Sequence, residues 1–162
     1  MSSQLPKISV VTPTFNRCDE LEHLIHSINN QTLECKYFEL IICDDGSTDG
    51  TEKTIKELQK NIDFNLKYIF QKNSGPGIAR NNGVKNAIGE LIIFTDSDCE
   101  AEKNWLKNIY NSYLDEDFDA FGGPDLAKDD FLPIQIAINY SMSSFFTTGG
   151  IRGHNENMLT TF

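Results

Sequence analysis

The sequence predicts one α/β domain over residues 1–162, with a mostly parallel sheet that carries helices on both faces. Short apolar runs alternate along the chain with segments whose apolar residues recur at helical spacing, which is typical of such sheets. Polar loops follow three of the apolar runs. Because ligands bind outside the carboxyl ends of parallel strands, these three loops are expected to converge on one site.

The strands are predicted from short aliphatic and aromatic runs that end at turn-forming residues. Pro13 is expected to end the first strand, and the loop that begins at Asp44 ends the second. The fourth run consists of four apolar residues and is expected to be a buried strand. The predicted strands are 8–11, 38–43, 67–70, 91–94 and 120–122.

The helices are predicted where apolar residues recur every three or four positions. The first carries Leu21, Leu24, Ile25 and Ile28 on one face. The third is expected to close at Gly89, since glycine commonly follows a helix C-terminus. The four predicted helices cover about 19–30, 51–60, 78–88 and 105–113.

The chain is strongly acidic, with a net charge of -10. This field repels nucleic-acid backbones and anionic membranes, so nucleic acid is not an expected partner. It also repels nucleotide phosphates, unless a metal ion or a few basic side chains offset it. The sequence shows no apolar signal region, no membrane-length run and no C-x-x-C pair among its four cysteines. These features predict free thiols in a reducing, cytoplasmic compartment.

Asp96 and Asp98 follow the fourth apolar run directly. On an extended backbone, this spacing would point both carboxylates to the same side. Two close carboxylates repel each other unless a cation lies between them or one is protonated. Mg²⁺ and Mn²⁺ prefer oxygen ligands of this kind, so the pair predicts a metal site. The alternative is that both residues are ordinary turn residues, which aspartate favours.

Three other motif assignments fit less well. The segment 45–50 is similar to a calcium-binding loop, but the position that needs a bidentate glutamate is Lys56. The segment 75–80 begins like a dinucleotide fingerprint but ends in Arg80, which leaves either a glycine loop able to approach an anion or a solvated arginine. The Asp96-Ser97-Asp98 segment is similar to an aspartate-based phosphotransferase site, except for Glu100, and remains a minor alternative.

Four motifs in order resemble a family 2 glycosyltransferase with the GT-A fold. They are VVTPTFNR at 10–17, DDGSTD at 44–49, ARNNG at 79–83 and DSD at 96–98. The resemblance covers about 7–123, which it identifies as the nucleotide-sugar-binding half. It implies an inverting, metal-dependent enzyme that moves a sugar from a nucleotide-sugar donor, most often a UDP-sugar, to a glycan or lipid-linked acceptor.

The resemblance also implies roles for individual residues. Pro13 and Thr14 would lie against the nucleoside, and Asp45 would bind the uracil with Asp44 beside it. Asp98 would ligate Mn²⁺ or Mg²⁺. The remaining implied donor contacts are Asn73 in the glycine loop, Arg80 near the diphosphate or sugar, and Asp96 at the ribose or the metal.

The segment 124–162 is expected to be only the start of an acceptor half. The family's catalytic base is then expected beyond Phe162, with Glu156 and Asp125 as weak candidates inside the chain. The apolar stretch 131–146 is expected to pack, or to drive self-association. A longer native protein would act at the inner face of the membrane. The rival hypothesis is a nucleotide-binding module or fragment without transferase activity.

Overall fold

A computed structural model describes residues 7–115 together with 119, 120, 122 and 134. The described chain alternates strands and helices, as the periodicity predicts. The elements are β1 (Ile8–Thr14), α1 (Cys18–Asn29), β2 (Phe38–Asp44), α2 (Thr51–Leu58), β3 (Asn65–Phe70), α3 (Pro76–Asn86), β4 (Leu91–Phe94) and α4 (Trp105–Asp115). A short 3-10 turn at Cys35–Tyr37 precedes β2.

The four strands form one sheet in the order β3-β2-β1-β4, and all pairs are parallel. The predicted α/β class is therefore confirmed. The predicted strand at 120–122 is absent at residues 120 and 122, and residue 121 lies outside the described part. The stretch 131–146 also lies outside it, apart from residue 134. No described helix is long and apolar enough to cross a membrane.

Helices cover both faces of the sheet, and alternating strand residues supply each face. On one face, buried residues of α1, α2 and α4 pack against Val10, Leu40, Ile42 and their neighbours. On the other face, α3 packs against Val11, Ile41 and Cys43. Because both faces are covered, every residue of the two central strands β1 and β2 is buried, including the polar Ser9 and Glu39.

α3 lies unusually close to the sheet at Gly83. A Cβ atom added to Gly83 would lie 2.4 Å from Val11 Cγ1 and 2.7 Å from Cys43 Sγ. Any larger residue would push α3 away from β1 and β2, so this glycine sets the distance between helix and sheet. Burial raises the pKa of the Cys43 thiol to about 11, so this cysteine is a packing residue rather than a nucleophile.

Pro13 does not end β1, contrary to the sequence-based prediction. The strand continues to Thr14, with Pro13 opposite Cys43 of β2. The carbonyl of Val11 accepts from Thr95 N–H at 3.3 Å, so Val11 and Pro13 turn their backbone polar groups toward β4. The pairing with β4 ends at Phe94. The missing N–H of Pro13 therefore costs no hydrogen bond between β1 and β4.

β4 has the predicted bounds, but the prediction that it is buried is wrong for most of its length. Of its four residues only Ile93 is buried, and Phe94 is 52% exposed. Within the described chain, β4 pairs on one side only, with β1. The four-residue apolar run identifies the strand but does not show that it lies at the edge of the described sheet.

Candidate functional site

A cavity of about 540 Å³ opens at the carboxyl edge of the sheet, where the predicted loops converge. Loops after β1, β2, β3 and β4 all contribute to it. Of the eight predicted donor and metal residues, all but Asp44 line this cavity. The lining residues are Pro13, Thr14, Phe15, Arg17, Asp45, Asn73, Gly75, Pro76, Arg80, Asp96, Ser97 and Asp98.

Asp45 is a buried carboxylate with a nearly complete set of donors. Its Oδ1 accepts from Gln71 Nε2 at 2.7 Å and from Ser74 N–H at 2.8 Å, and its Oδ2 accepts from Gly75 N–H at 2.7 Å. Burial alone would raise the pKa of Asp45, but the bonds from Gln71, Ser74 and Gly75 outweigh it and lower that pKa. The group is therefore an ionised, acceptor-only carboxylate. Among the described residues, Oδ2 has one donor, so it can accept another from a ligand.

Asp44 faces away from the cavity and holds the fold. Its Oδ1 accepts from Ser47 N–H at 2.8 Å, and its Oδ2 accepts from the hydroxyl of Tyr68 at 2.6 Å. Burial, and then the bond to Asp44, raises the pKa of Tyr68 well above its usual value. Contact between Asp44 and a nucleotide stays a prediction. In the structure, Asp44 links the loop after β2, through Ser47, to Tyr68 in the middle of β3.

The loops after β1 and β2 are tied to each other by polar contacts. Asn16 has a positive φ of 52°, and its side-chain oxygen accepts from Thr48 N–H at 2.8 Å. Asp49 accepts from Cys18 N–H, the first of α1, at 3.0 Å and from Thr51 N–H, the first of α2, at 3.2 Å. One carboxylate thus satisfies N–H groups at the start of two helices.

Asp96 and Asp98 lie in a turn rather than on an extended strand. The N–H of Cys99 donates to the carbonyl of Asp96 at 3.3 Å, which closes the turn immediately after β4. The expectation that extended spacing aligns the two carboxylates is therefore wrong. Both still line the cavity. Their side chains are 63% and 50% exposed, in contrast to that of Asp45.

An arginine pairs with each of these exposed carboxylates. Arg80 on α3 lies 2.7 Å from Asp96 Oδ1, and Arg17 after β1 lies 3.1 Å from Asp98 Oδ2. Arg17 also approaches Glu20 at 3.5 Å. The two cationic groups offset the acidic field at this end of the cavity. The solvated alternative for Arg80 is therefore disfavoured, because its guanidinium is directed at a cavity residue.

Thr14 and Phe15 present further surfaces for a ligand. Thr14 is 4% exposed, and its hydroxyl has no hydrogen-bond partner among the described residues. A buried, unpaired hydroxyl beside a cavity is a site at which a ligand can donate or accept. Phe15 is 47% exposed although it is a large aromatic residue, and it borders the same cavity.

Sequence reasoning missed several of these residues. Phe15 and Arg17 lie in the motif at 10–17, but only the tertiary fold shows that they face the cavity. Gln71 follows β3 and contacts Asp45, a pairing that no spacing rule predicts. Asp125 and Glu156, the candidate bases, lie outside the described residues.

The candidate metal ligands are two carboxylates, those of Asp96 and Asp98. No group of three or more His, Cys, Asp or Glu side chains that could hold an ion occurs among the described residues. Mg²⁺ and Mn²⁺ do not require such a cage, since they commonly use one or two carboxylates with water and substrate phosphates. Asp96 and Asp98 therefore fit a metal that binds together with a phosphorylated ligand.

Comparison with known proteins agrees with this geometry. The family model described as glycosyl transferase family 2 matches residues 9–161. A relative from Campylobacter jejuni, named GalNAc(5)-diNAcBac-PP-undecaprenol beta-1,3-glucosyltransferase, is 44% identical over 107 residues, which are 65% of this chain and 34% of that protein. The chain spans about a third to two fifths of the length of the first curated relatives it matches.

Several solved structures share the fold. Staphylococcus aureus TarS 1-349 in complex with UDP has a TM-score of 0.64 and 30% identity, and the match covers 74% of this chain and 38% of that one. The mannosyltransferase PcManGT from Pyrobaculum calidifontis, in complex with GDP-Man and Mn²⁺, has a TM-score of 0.57 and 26% identity, over 59% of this chain and 28% of that one. With its parallel sheet, its converging loops and the family match over most of its length, this chain has the GT-A fold and belongs to glycosyl transferase family 2.

Proposed function

We propose that the described residues form the donor-binding part of an inverting glycosyltransferase that moves a sugar from a UDP-sugar to a glycan or lipid-linked acceptor. The observation that carries this proposal is the pairing, in one cavity, of a buried acceptor carboxylate with a polar end rich in charge. Asp45 marks the first end, and Asp96, Asp98, Arg17 and Arg80 mark the other.

The end near Asp45 is suited to a nucleobase. Uracil presents an N3–H that can donate to the free acceptor position of Asp45 Oδ2, whereas N3 of cytosine can only accept. Phe15 has an exposed aromatic ring near this end. Stacking of a base on an aromatic ring stabilises a bound nucleotide whichever base it carries. Pro13 and the unpaired hydroxyl of Thr14 complete the proposed nucleoside contacts.

The opposite end is suited to a diphosphate. The N-terminus of α3 lies at the Asp45 end, since Gly75 N–H donates to Asp45, so the diphosphate would be bound by side chains at the charged end. The Arg80 side chain supplies a guanidinium, which can bind phosphate through two N–H groups. Asn73 lies in the loop just before α3, next to Ser74, whose N–H donates to Asp45, and it offers a polar side chain to the cavity.

Asp96 and Asp98 would hold Mn²⁺ or Mg²⁺ together with the diphosphate. A bound divalent ion would supply Lewis-acid stabilisation of the charge that develops on the departing nucleotide diphosphate. Within the protein, Arg17 and Arg80 keep these two carboxylates paired. TarS has also been solved with UDP-GlcNAc and PcManGT with GDP-Man and Mn²⁺, which supports a nucleotide sugar and a metal as ligands of this fold.

The acceptor side of the proposal depends on the relatives. The name of the Campylobacter relative specifies a PP-undecaprenol-linked molecule, which supports a lipid-linked acceptor and a place at the inner face of the membrane. Asp125 and Glu156 remain candidate bases within the chain. Family membership favours glycosyl transfer over the phosphotransferase alternative. The nucleotide-binding module without transfer activity stays the second candidate function.

A screen of donor hydrolysis tests the proposal. The protein is incubated with UDP-, GDP- and CDP-sugars, with and without Mn²⁺, and release of the nucleotide diphosphate is measured. We expect release from a UDP-sugar only when Mn²⁺ is present. Binding of UDP by calorimetry without any release would favour the module. Failure to bind any nucleotide would overturn the proposed donor site.

A further inference from the structure

A line of side-chain amides connects α3 to Asp45. Asn86 Nδ2 donates to Asn82 Oδ1 at 3.2 Å, Asn82 Nδ2 donates to Gln71 Oε1 at 3.0 Å, and Gln71 Nε2 donates to Asp45 Oδ1 at 2.7 Å. Every bond in the line runs in the same direction. Such chains of hydrogen bonds polarise one another, so the donor that reaches Asp45 is strengthened.

The chemistry of the groups fixes the direction of this line. An ionised Asp45 can only accept, so Gln71 must turn its NH₂ group toward the carboxylate. The carbonyl oxygen of Gln71 then faces Asn82, which must turn its own NH₂ group toward it. Gln71 and Asn82 are half-buried, and neither is among the residues that line the cavity. Any effect they have on a ligand must therefore pass through Asp45.

We propose that Gln71 and Asn82 are positioning residues that hold Asp45 as an oriented, acceptor-only carboxylate and thereby set the donor's base preference. This inference rests on the proposed function, since it assumes that Asp45 faces the base. The oriented amide occupies Oδ1, and the Ser74 and Gly75 N–H groups fix the plane of the carboxylate. The remaining acceptor position then selects a base that carries an N–H at ring position N3, as uracil does, over cytosine, whose N3 only accepts.

Gln71→Glu is the first test, because it replaces the donating amide by a carboxyl group of the same shape. Two carboxyl groups in contact raise the pKa of one of them, so at low pH a shared proton restores the bond to Asp45. At high pH both groups are charged and repel each other. At each pH, the UDP affinity of the variant is divided by that of the parent protein. We expect this ratio to fall about tenfold from pH 5.5 to pH 8.

The parent protein serves as the reference because its binding experiment contains UDP and the same ionisable side chains, apart from the carboxyl group introduced at position 71 of the variant. The charged and titratable groups on β2, β3 and α3 are Glu39, Cys43 and Asp44, then Lys67 and Tyr68, then Arg80 and Lys85. None of them changes in the variant. Gln59→Glu makes the same chemical change in an exposed residue outside the cavity and should follow the parent at every pH.

Asn82→Asp is the second test and alters no group that touches Asp45. A carboxylate at position 82 can only accept, so it competes for the NH₂ group of Gln71 and favours the reversed amide. We expect about a fivefold loss of UDP affinity and a smaller ratio of UDP to CDP affinity, with the melting temperature nearly unchanged. Asn108→Asp on α4 adds the same charge far from this line and serves as the control.

Isothermal titration calorimetry with UDP and CDP measures all of these affinities, and thermal melts confirm that each variant folds. The inference is supported by a pH-dependent loss in Gln71→Glu together with a loss in Asn82→Asp. A parent that prefers UDP, with both variants keeping that preference at every pH, would overturn the inference and leave the proposed function intact. A parent that binds neither nucleotide would overturn both.

Discussion

The carboxylates at the carboxyl end of β2 and those that follow β4 are held in opposite ways. Asp44 and Asp45 are 1% and 4% exposed and accept hydrogen bonds from backbone N–H groups and from neutral side chains. Asp96 and Asp98 are at least half exposed, and each meets an arginine. A neutral hydrogen-bonding shell fixes a carboxylate in one place, whereas an exposed ion pair is easily exchanged for another partner. The Asp45 end of the cavity is thus suited to a fixed ligand contact. At the end with Asp96 and Asp98, another partner can replace each arginine.

The largest effect is expected on stability, from Asp44→Ala. This change leaves the Ser47 N–H and the partly buried Tyr68 hydroxyl without their acceptors, so the free energy of unfolding should fall by about 3 kcal/mol. Asp98→Ala, at the exposed end, should change it by less than about 0.5 kcal/mol. Urea denaturation monitored by circular dichroism measures both. Similar losses for the two variants would show that the two ends do not differ as described.

Asp45→Ala tests the fixed contact in ligand binding. Loss of a charged acceptor should weaken UDP binding by about 2 kcal/mol and bring the UDP and CDP affinities close together. Calorimetry at constant pH gives both values, and Asp63→Ala, at an exposed position, is the matched control. If the parent binds UDP and CDP equally, Asp45 has no part in base recognition.

Asp98→Asn tests the replaceable contact. We expect Mn²⁺-dependent UDP binding to weaken about tenfold, roughly 1.4 kcal/mol, because an amide is a poorer ligand for a hard cation. The melting temperature should hardly change. Titration with UDP, with and without Mn²⁺, separates the metal-dependent part. An unchanged affinity in Mn²⁺ would remove Asp98 from the metal site.

The smallest effect is expected from Arg17→Gln. An exposed ion pair contributes about 1 kcal/mol or less, so freeing Asp98 should tighten Mn²⁺ binding in the absence of nucleotide by no more than about fivefold. Electron paramagnetic resonance of free Mn²⁺ measures this directly. Arg17→Lys keeps the charge and should resemble the parent. Weaker Mn²⁺ binding in Arg17→Gln would mean that Arg17 assists the metal rather than competing with it.

Periodicity predicted α1, α2, α4 and the four strands because each of them buries one face or lies between two covered faces. For α3 the reason was wrong: its apolar residues Ile78 and Val84 are exposed, and the helix is buried at Ala79 and Gly83. This helix also ends at Asn86 rather than at Gly89.

Periodicity could not show that Pro13 continues β1, since that depends on where β4 stops pairing. Nor could it distinguish Asp44 from Asp45. The two carboxylates are adjacent in sequence, and only the packing of β3 and α3 determines which one faces the cavity.

The site itself was predicted in outline because the ends of parallel strands share one edge. The contacts that organise it join distant parts of the chain, such as Arg17 with Asp98 and Gln71 with Asp45. Such pairs depend on loop paths that carry no periodic signal.

The left-handed backbone at Asn16 has a consequence for anyone who wishes to re-engineer donor choice. Thr14, Phe15 and Arg17 surround this residue and all face the cavity, so they are natural positions for a randomised library. Asn16 should be left out of it. Its φ of 52° suits asparagine, aspartate or glycine, whereas a β-branched residue there would be strained. A library that spares this one position should yield a much larger share of folded clones.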